Sequence, residues 1–125
     1  MSLLHTHLVF VTKYRRAVFT DAMLTFTEHA MRSVCADLKA ELAEFNGEAD
    51  HVHLLVAYPP TPAISVLAQR LKDRTAYAVR REFTDACVRA RMRGHLWSPS
   101  YLAVSCGGAP LSIIKQYIDG QARPL

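Results

Sequence analysis

Two histidines, His51 and His53, stand at alternate positions at the head of the apolar run HVHLLVAY. Side chains on a strand alternate between faces, so both imidazoles point one way, with Leu55 and Ala57, while Val52, Leu54 and Val56 point the other. Two neutral imidazoles so placed can converge on one divalent ion, and imidazole suits manganese, zinc and other first-row metals. The same spacing also occurs among ordinary surface histidines, and the chain contains a second instance of it at His5 and His7. Spacing alone does not choose between the pairs. His51 and His53 lie in what should be a central strand, whereas His5 is at the ragged start of the chain, where fraying is expected.

The second group with chemical potential is near the other end. Ile114, Tyr117, Ile118 and Gln121 follow the pattern Ile-x-x-Tyr-Ile-x-x-Gln. At i and i+4, Tyr117 and Gln121 are neighbours on one helical face. A tyrosine with a polar neighbour one turn on can serve as a nucleophile beside a metal ligand. It can equally be a packing residue of an amphipathic helix.

The elements that must position these residues are legible to different degrees. His5–Lys13 has the β-branched and aromatic content of a strand. Met23, Phe26, Ala30, Val34 and Leu38 recur at threes and fours, predicting a helix capped by Thr20 or Asp21 and running to about Ala43. Asn46-Gly47 reads as a hairpin turn leading into the histidine strand, which Pro59, Pro60 and Pro62 close. A second helix is predicted from about Pro62 to Thr84, with Ile64, Leu67, Ala68, Leu71 and Thr75 facing inward. A basic loop to Gly94, a last strand within LWSPSYLAVSC, a Gly107-Gly108 break and a final helix opened by Pro110 complete the chain. The order β-α-β-β-α-β plus a C-terminal helix is that of an α+β, ferredoxin-like split βαβ domain. It predicts a four-stranded antiparallel sheet with two helices on one face, and the tyrosine on the extra helix.

The 125 residues, half of them hydrophobic, suit one domain spanning 1–125. No apolar run long enough for a membrane helix is present, and MSLLHTHLVF lacks the features of a secretory signal. Cys35, Cys87 and Cys106 are scattered and odd in number, which suits free thiols in a cytoplasmic protein. The formal net charge is +4, and the positive residues cluster. Lys13, Arg15 and Arg16 form one group; Arg70, Arg74 and Arg81 line up with Tyr77 at helical spacing. These six cations are the candidate DNA surface, since each neutralised phosphate releases condensed counterions; a solvated helix face is the alternative for each arginine. Trp97 and Tyr101 could stack bases or belong to the core.

Taken together and in order, DHVHLLV, the KYR after the first strand, LWSPSYL and IIKQYIDGQ resemble the single-tyrosine transposases of small insertion sequences, the TnpA type. These belong to the HUH endonuclease superfamily, named for two histidines around a bulky hydrophobic residue. The resemblance covers nearly the whole chain. It implies that His51 and His53 bind a divalent metal, magnesium or manganese, with Gln121 as third ligand, and that Tyr117 is the nucleophile. His7 falls where many members carry a first-strand histidine. Asp50 and Asp119 are acidic neighbours not counted as ligands. The implied activity is endonuclease cleavage and strand transfer on single-stranded DNA, through a 5′-phosphotyrosine intermediate, at element ends marked by hairpins. No nucleotide cofactor is needed, because the phosphoester is exchanged and not hydrolysed. The implied assembly is a homodimer whose tyrosine helix can complete the partner's site.

Two other classes compete. A histidine-triad nucleotide hydrolase would need a third alternating histidine where this chain has Leu55. A noncatalytic hairpin DNA- or RNA-binding module, domesticated from a transposase, would need no nucleophile; a sheet-based RNA binder would display aromatic residues where this chain has His51 and His53.

Overall fold

The computed structural model describes residues 3–61, 63–92, 95–105 and 111–121, the last segment with side chains from residue 115 onward. Pro62, Gly94, Cys106, the Gly107-Gly108 pair and Pro110 lie outside the described residues, as does the side chain of Ile114. Strand β1 (Leu4–Val11), helix α1 (Asp21–Asp37), strands β2 (Glu41–Glu48) and β3 (His51–Tyr58), helices α2 (Ile64–Glu82) and α3 (Thr84–Arg89), strand β4 (Leu102–Ser105) and helix α4 (Leu111–Gly120) follow in order. The sheet order is β2-β3-β1-β4, and every neighbouring pair is antiparallel. This is the expected split βαβ topology.

The alternation of β1 and β3 sets the two sides of the sheet. Leu8 and Phe10 of β1, with Val52, Leu54 and Val56 of β3, are fully buried against Met31 and Val34 of α1 and Leu67, Leu71 and Val79 of α2. Burying each large aliphatic side chain contributes about 1.5–3 kcal/mol. The opposite face carries Val9 and Val11, covered by Ile118 of α4 with Tyr117 and Leu102 alongside. That side is where the histidines of β3 emerge. Phe10 has no exposed surface and meets the rings of Trp97 and Tyr101, at 5.7 and 6.3 Å between centroids. Trp97 is buried and Tyr101 packs against the core, so both belong to the interior. Phe10→Ala is expected to lower unfolding free energy by about 3–5 kcal/mol in urea titration; a loss below about 1 kcal/mol would contradict this core assignment.

Several boundaries differ from expectation, each for a tertiary reason. The first helix stops at Asp37 and not near Ala43. Lys39 takes a left-handed φ of 59°, the Ala40 amide bonds back to the Cys35 carbonyl, and Leu42 enters the core from β2. Asn46 and Gly47 are not the hairpin turn; they pair with His53 and Val52 inside β2. The turn is Ala49-Asp50, whose carbonyls accept from the amides of Val18, Phe19 and Thr12. Gly47 lies under Leu24, whose Cδ2 would be 2.5 Å from a Cβ there, so a larger residue would make that side chain turn aside. The second helix is shorter at both ends than Pro62–Thr84, and the basic loop contains α3. The final strand is only Leu102–Ser105, with Trp97 joined to Thr12 by an isolated bridge ahead of Pro99.

Candidate active site

His51 lies opposite Val11, and His53 opposite Val9, with His7 one strand over and facing Leu55. The diagonal brings His7 Nδ1 to 3.0 Å from His53 Nε2, one nitrogen donating to the other. Burial, then the neighbouring His7, hold His53 below the usual imidazole range. Both effects favour the neutral ring, the form in which imidazole binds metal. The sign for stability follows from its depressed folded-state pKa. The contribution is complete above the unfolded value of ~6.5 and is lost as pH falls through the folded one.

His51 is held from two directions. Its Nδ1 is 2.8 Å from Asp50 Oδ1, and its Nε2 is 3.4 Å from the exposed Glu48 carboxylate. Asp50 Oδ2 accepts from Arg15 Nε at 2.8 Å, and Arg15 Nη1 donates to Asp119 of α4 at 3.2 Å. Burial opposes ionisation of Asp50, but hydrogen bonds from His51 and Arg15 outweigh it and hold the carboxyl below its usual range. A cleft of about 650 Å³ opens between the β2–β3 hairpin and α4, with His51, His53, Glu48 and Arg15 on one side and Lys115, Ile118 and Asp119 on the other.

Tyr117 and Gln121 come together as their spacing predicts, but turned toward a different partner. Tyr117 Oη is 2.9 Å from Ser100 Oγ, while Gln121 Oε1 accepts from Ser98 Oγ at 2.7 Å and from Ser100 Oγ at 3.4 Å. Burial raises the tyrosine's pKa, and the Ser100 hydrogen bond partly offsets this. Among the described residues, the cleft lining from α4 is Lys115, Ile118 and Asp119, without Tyr117 or Gln121. Nor do three His, Cys, Asp or Glu side chains among them form a metal-holding group. Two imidazoles opening on one cleft nevertheless have the donor chemistry of a divalent-ion site.

The candidate DNA cations are dispersed. Arg70, Arg74 and Arg81 are exposed on α2, which packs on the sheet face opposite the histidines. Arg74 pairs with Asp37 at 2.6 Å. Lys13 and Arg16 flank the Tyr14 ring, and Arg16 also donates to the carbonyls of Ala90 and Arg91. Arg15 is engaged by two carboxylates. Sequence reasoning overlooked Ser98 and Ser100 as partners of the tyrosine helix; the two hydroxyls flanking Pro99 in LWSPSYL were the available signal.

Comparison with known proteins sets this fold among the transposases. The chain belongs to the family of IS200-like transposases, which it matches over residues 1–121. It is 30% identical over 121 residues to the ISDra2 transposase TnpA of Deinococcus radiodurans, covering 94% of this chain and 84% of that one. It is 29% identical over 126 residues to the IS200 transposase of Salmonella typhimurium, covering 96% and 82%. The crystal structure of a Deinococcus radiodurans transposase superposes with a TM-score of 0.88 at 28% identity, over 97% of this chain and 92% of the other. A REP-associated tyrosine transposase bound to a REP hairpin shares the fold at a TM-score of 0.61 and 14% identity, over 95% and 64%. Among the described residues, no helix is long and apolar enough to cross a membrane.

Proposed function

We propose that this transposase cleaves and rejoins single-stranded DNA beside hairpins, using Tyr117 as nucleophile and a divalent ion, magnesium or manganese, held by His51 and His53. The observation that carries the reading is the shared sheet face: β3 presents both imidazoles there, and α4 brings the tyrosine to the same side. The IS200-like family and the hairpin bound by a structural relative support the substrate class.

The ion would polarise the scissile phosphate and offset the charge that develops on it. Tyr117 Oη attacks phosphorus, forming the 5′-phosphotyrosine ester as the bond to the 3′-oxygen breaks and leaves a 3′-hydroxyl. Attack by a 3′-hydroxyl reverses the exchange and frees the tyrosine. Burial raises the tyrosine's pKa, so its proton must leave as it attacks; Ser100 holds the hydroxyl while α4 rests on its own chain. Gln121, one turn on, is the proposed third ligand. In its own chain it bonds Ser98 and does not line the histidine cleft, so the proposed assembly is a homodimer in which α4 serves the partner's histidines.

The test is to tile single-stranded oligonucleotides across both flanks of the gene, incubate them with protein and manganese, and separate them under denaturing conditions. A band at the combined mass of protein and DNA, lost on chelation, is expected. Tight hairpin binding with no such band on any strand would sink the catalytic reading in favour of a binding module. Because magnesium prefers oxygen ligands and the proposed donors include two imidazoles, manganese is expected to support adduct formation at least as well as magnesium at equal concentration. Adducts with magnesium and none with manganese at that concentration would overturn this preference.

A further inference from the structure

The single 3₁₀ turn after β1, Lys13–Arg15, holds two consecutive residues at positive φ, Tyr14 at 59° and Arg15 at 55°. Neither is a residue that adopts this conformation readily, and such strain concentrates where geometry serves function. The turn delivers the Arg15 guanidinium to a point between two carboxylates from distant parts of the chain. On one side is Asp50, whose backbone is fixed: its carbonyl accepts from both Thr12 N and Thr12 Oγ1. On the other is Asp119, on α4 and more than half exposed.

Asp50 faces His51 with its remaining oxygen. An ionised carboxylate only accepts, so the proton in that contact belongs to His51 Nδ1. In the neutral ring that leaves the Nε2 lone pair for an ion, the tautomer a metal ligand needs, once the exposed Glu48 carboxylate 3.4 Å away turns aside. We propose that Arg15 is a positioning residue that couples the seating of α4 to the orientation of the His51 ring, through Asp119 on the helix and Asp50 at the head of β3. Arg15 fixes the rotation of the Asp50 carboxylate, which fixes the ring. When Asp119 departs with α4, the guanidinium loses its second anchor and the carboxylate gains freedom. The inference rests on the reading that His51 serves an ion, and its test separates the two.

Long-range ¹H–¹⁵N spectra at pH 8 report the tautomer of each histidine without requiring activity. The wild type is expected to show His51 protonated on Nδ1. Asp50→Asn, whose carbonyl still accepts, keeps that tautomer, and Asp50→Ala gives a mixture. Arg15→Gln and Asp119→Asn shift the His51 ring signals and speed hydrogen exchange in α4. Arg15→Lys, which keeps the charge without the fork, falls between wild type and Arg15→Gln. Titration with manganese alone, followed by electron paramagnetic resonance, is expected to weaken by about 10–100-fold in Asp50→Ala and Arg15→Gln. Wild-type His51 protonated on Nε2, or ring signals unmoved by both Arg15→Gln and Asp119→Asn, would overturn the coupling. Ring signals that respond in a protein taking up no manganese uphold the coupling and remove the ion. Manganese uptake with an unresponsive ring does the reverse.

Discussion

Tyr117→Phe is expected to abolish the protein–DNA adduct and to lower strand cleavage by on the order of 10³-fold or more, because the only atom removed is the proposed nucleophile. The aromatic ring remains beside Val9, Val11 and Ile118, so the apolar seat of α4 is kept. What the fold loses is a hydrogen bond to Ser100 on an exposed edge, about 0.5–1.5 kcal/mol. Stability and activity therefore separate cleanly in this variant. Equal unfolding midpoints within that margin, with no adduct on a denaturing gel, is the expected pair of results. An adduct that persists in Tyr117→Phe would assign the chemistry to another side chain.

His51→Ala and His53→Ala are the second pair of large effects, with an expected loss of about 10²-fold or more in metal-dependent cleavage for each. The informative experiment mixes His51→Ala protomers with Tyr117→Phe protomers. Within one chain Tyr117 and Gln121 face Ser98 and Ser100, away from the histidine cleft. If α4 serves the partner subunit, half of the mixed dimers pair unlike chains, and each has one intact site. Activity then returns to about a quarter of wild type in a freely exchanging equal mixture. No recovery would mean that a histidine pair and its tyrosine must come from the same chain.

The part of the site legible from sequence is the part that is local. His51 and His53 could be assigned to one face because β3 is flanked by an uninterrupted apolar alternation, and the burial of Val52, Leu54 and Val56 follows it residue by residue. The α2 stripe was legible for the same reason, whereas in α1 the period found Met23 and Val34 but missed the buried Thr27, Met31 and Cys35. Strand β2 was not. ELAEFNGE is an edge strand with few β-formers, and its pairing with β3 comes from its neighbour and from anchors on the Ala49-Asp50 turn, not from its own propensity. Leu42, four residues after Leu38, continued the helical period across a real boundary at Lys39. The charged network was beyond sequence reasoning altogether. Arg15 meets partners 35 and 104 positions away, so no window along the chain contains both, and its cluster of cations suggested a phosphate contact instead.

The position of β1 has a consequence during synthesis. It is a central strand, with β3 on one side and β4 on the other, yet β4 follows the end of β3 by roughly forty residues. At translation speeds of about 5–20 residues per second, those residues take several seconds to appear. For that interval the nascent sheet presents the unpaired edge of β1, bearing Val9 and Val11, to the cell, the kind of edge on which chains aggregate. The histidines already exist by then, while α4 has yet to be made. The half-built transposase is sticky before it is dangerous: it can associate with other chains, but it still lacks Tyr117, the proposed nucleophile for attachment to DNA.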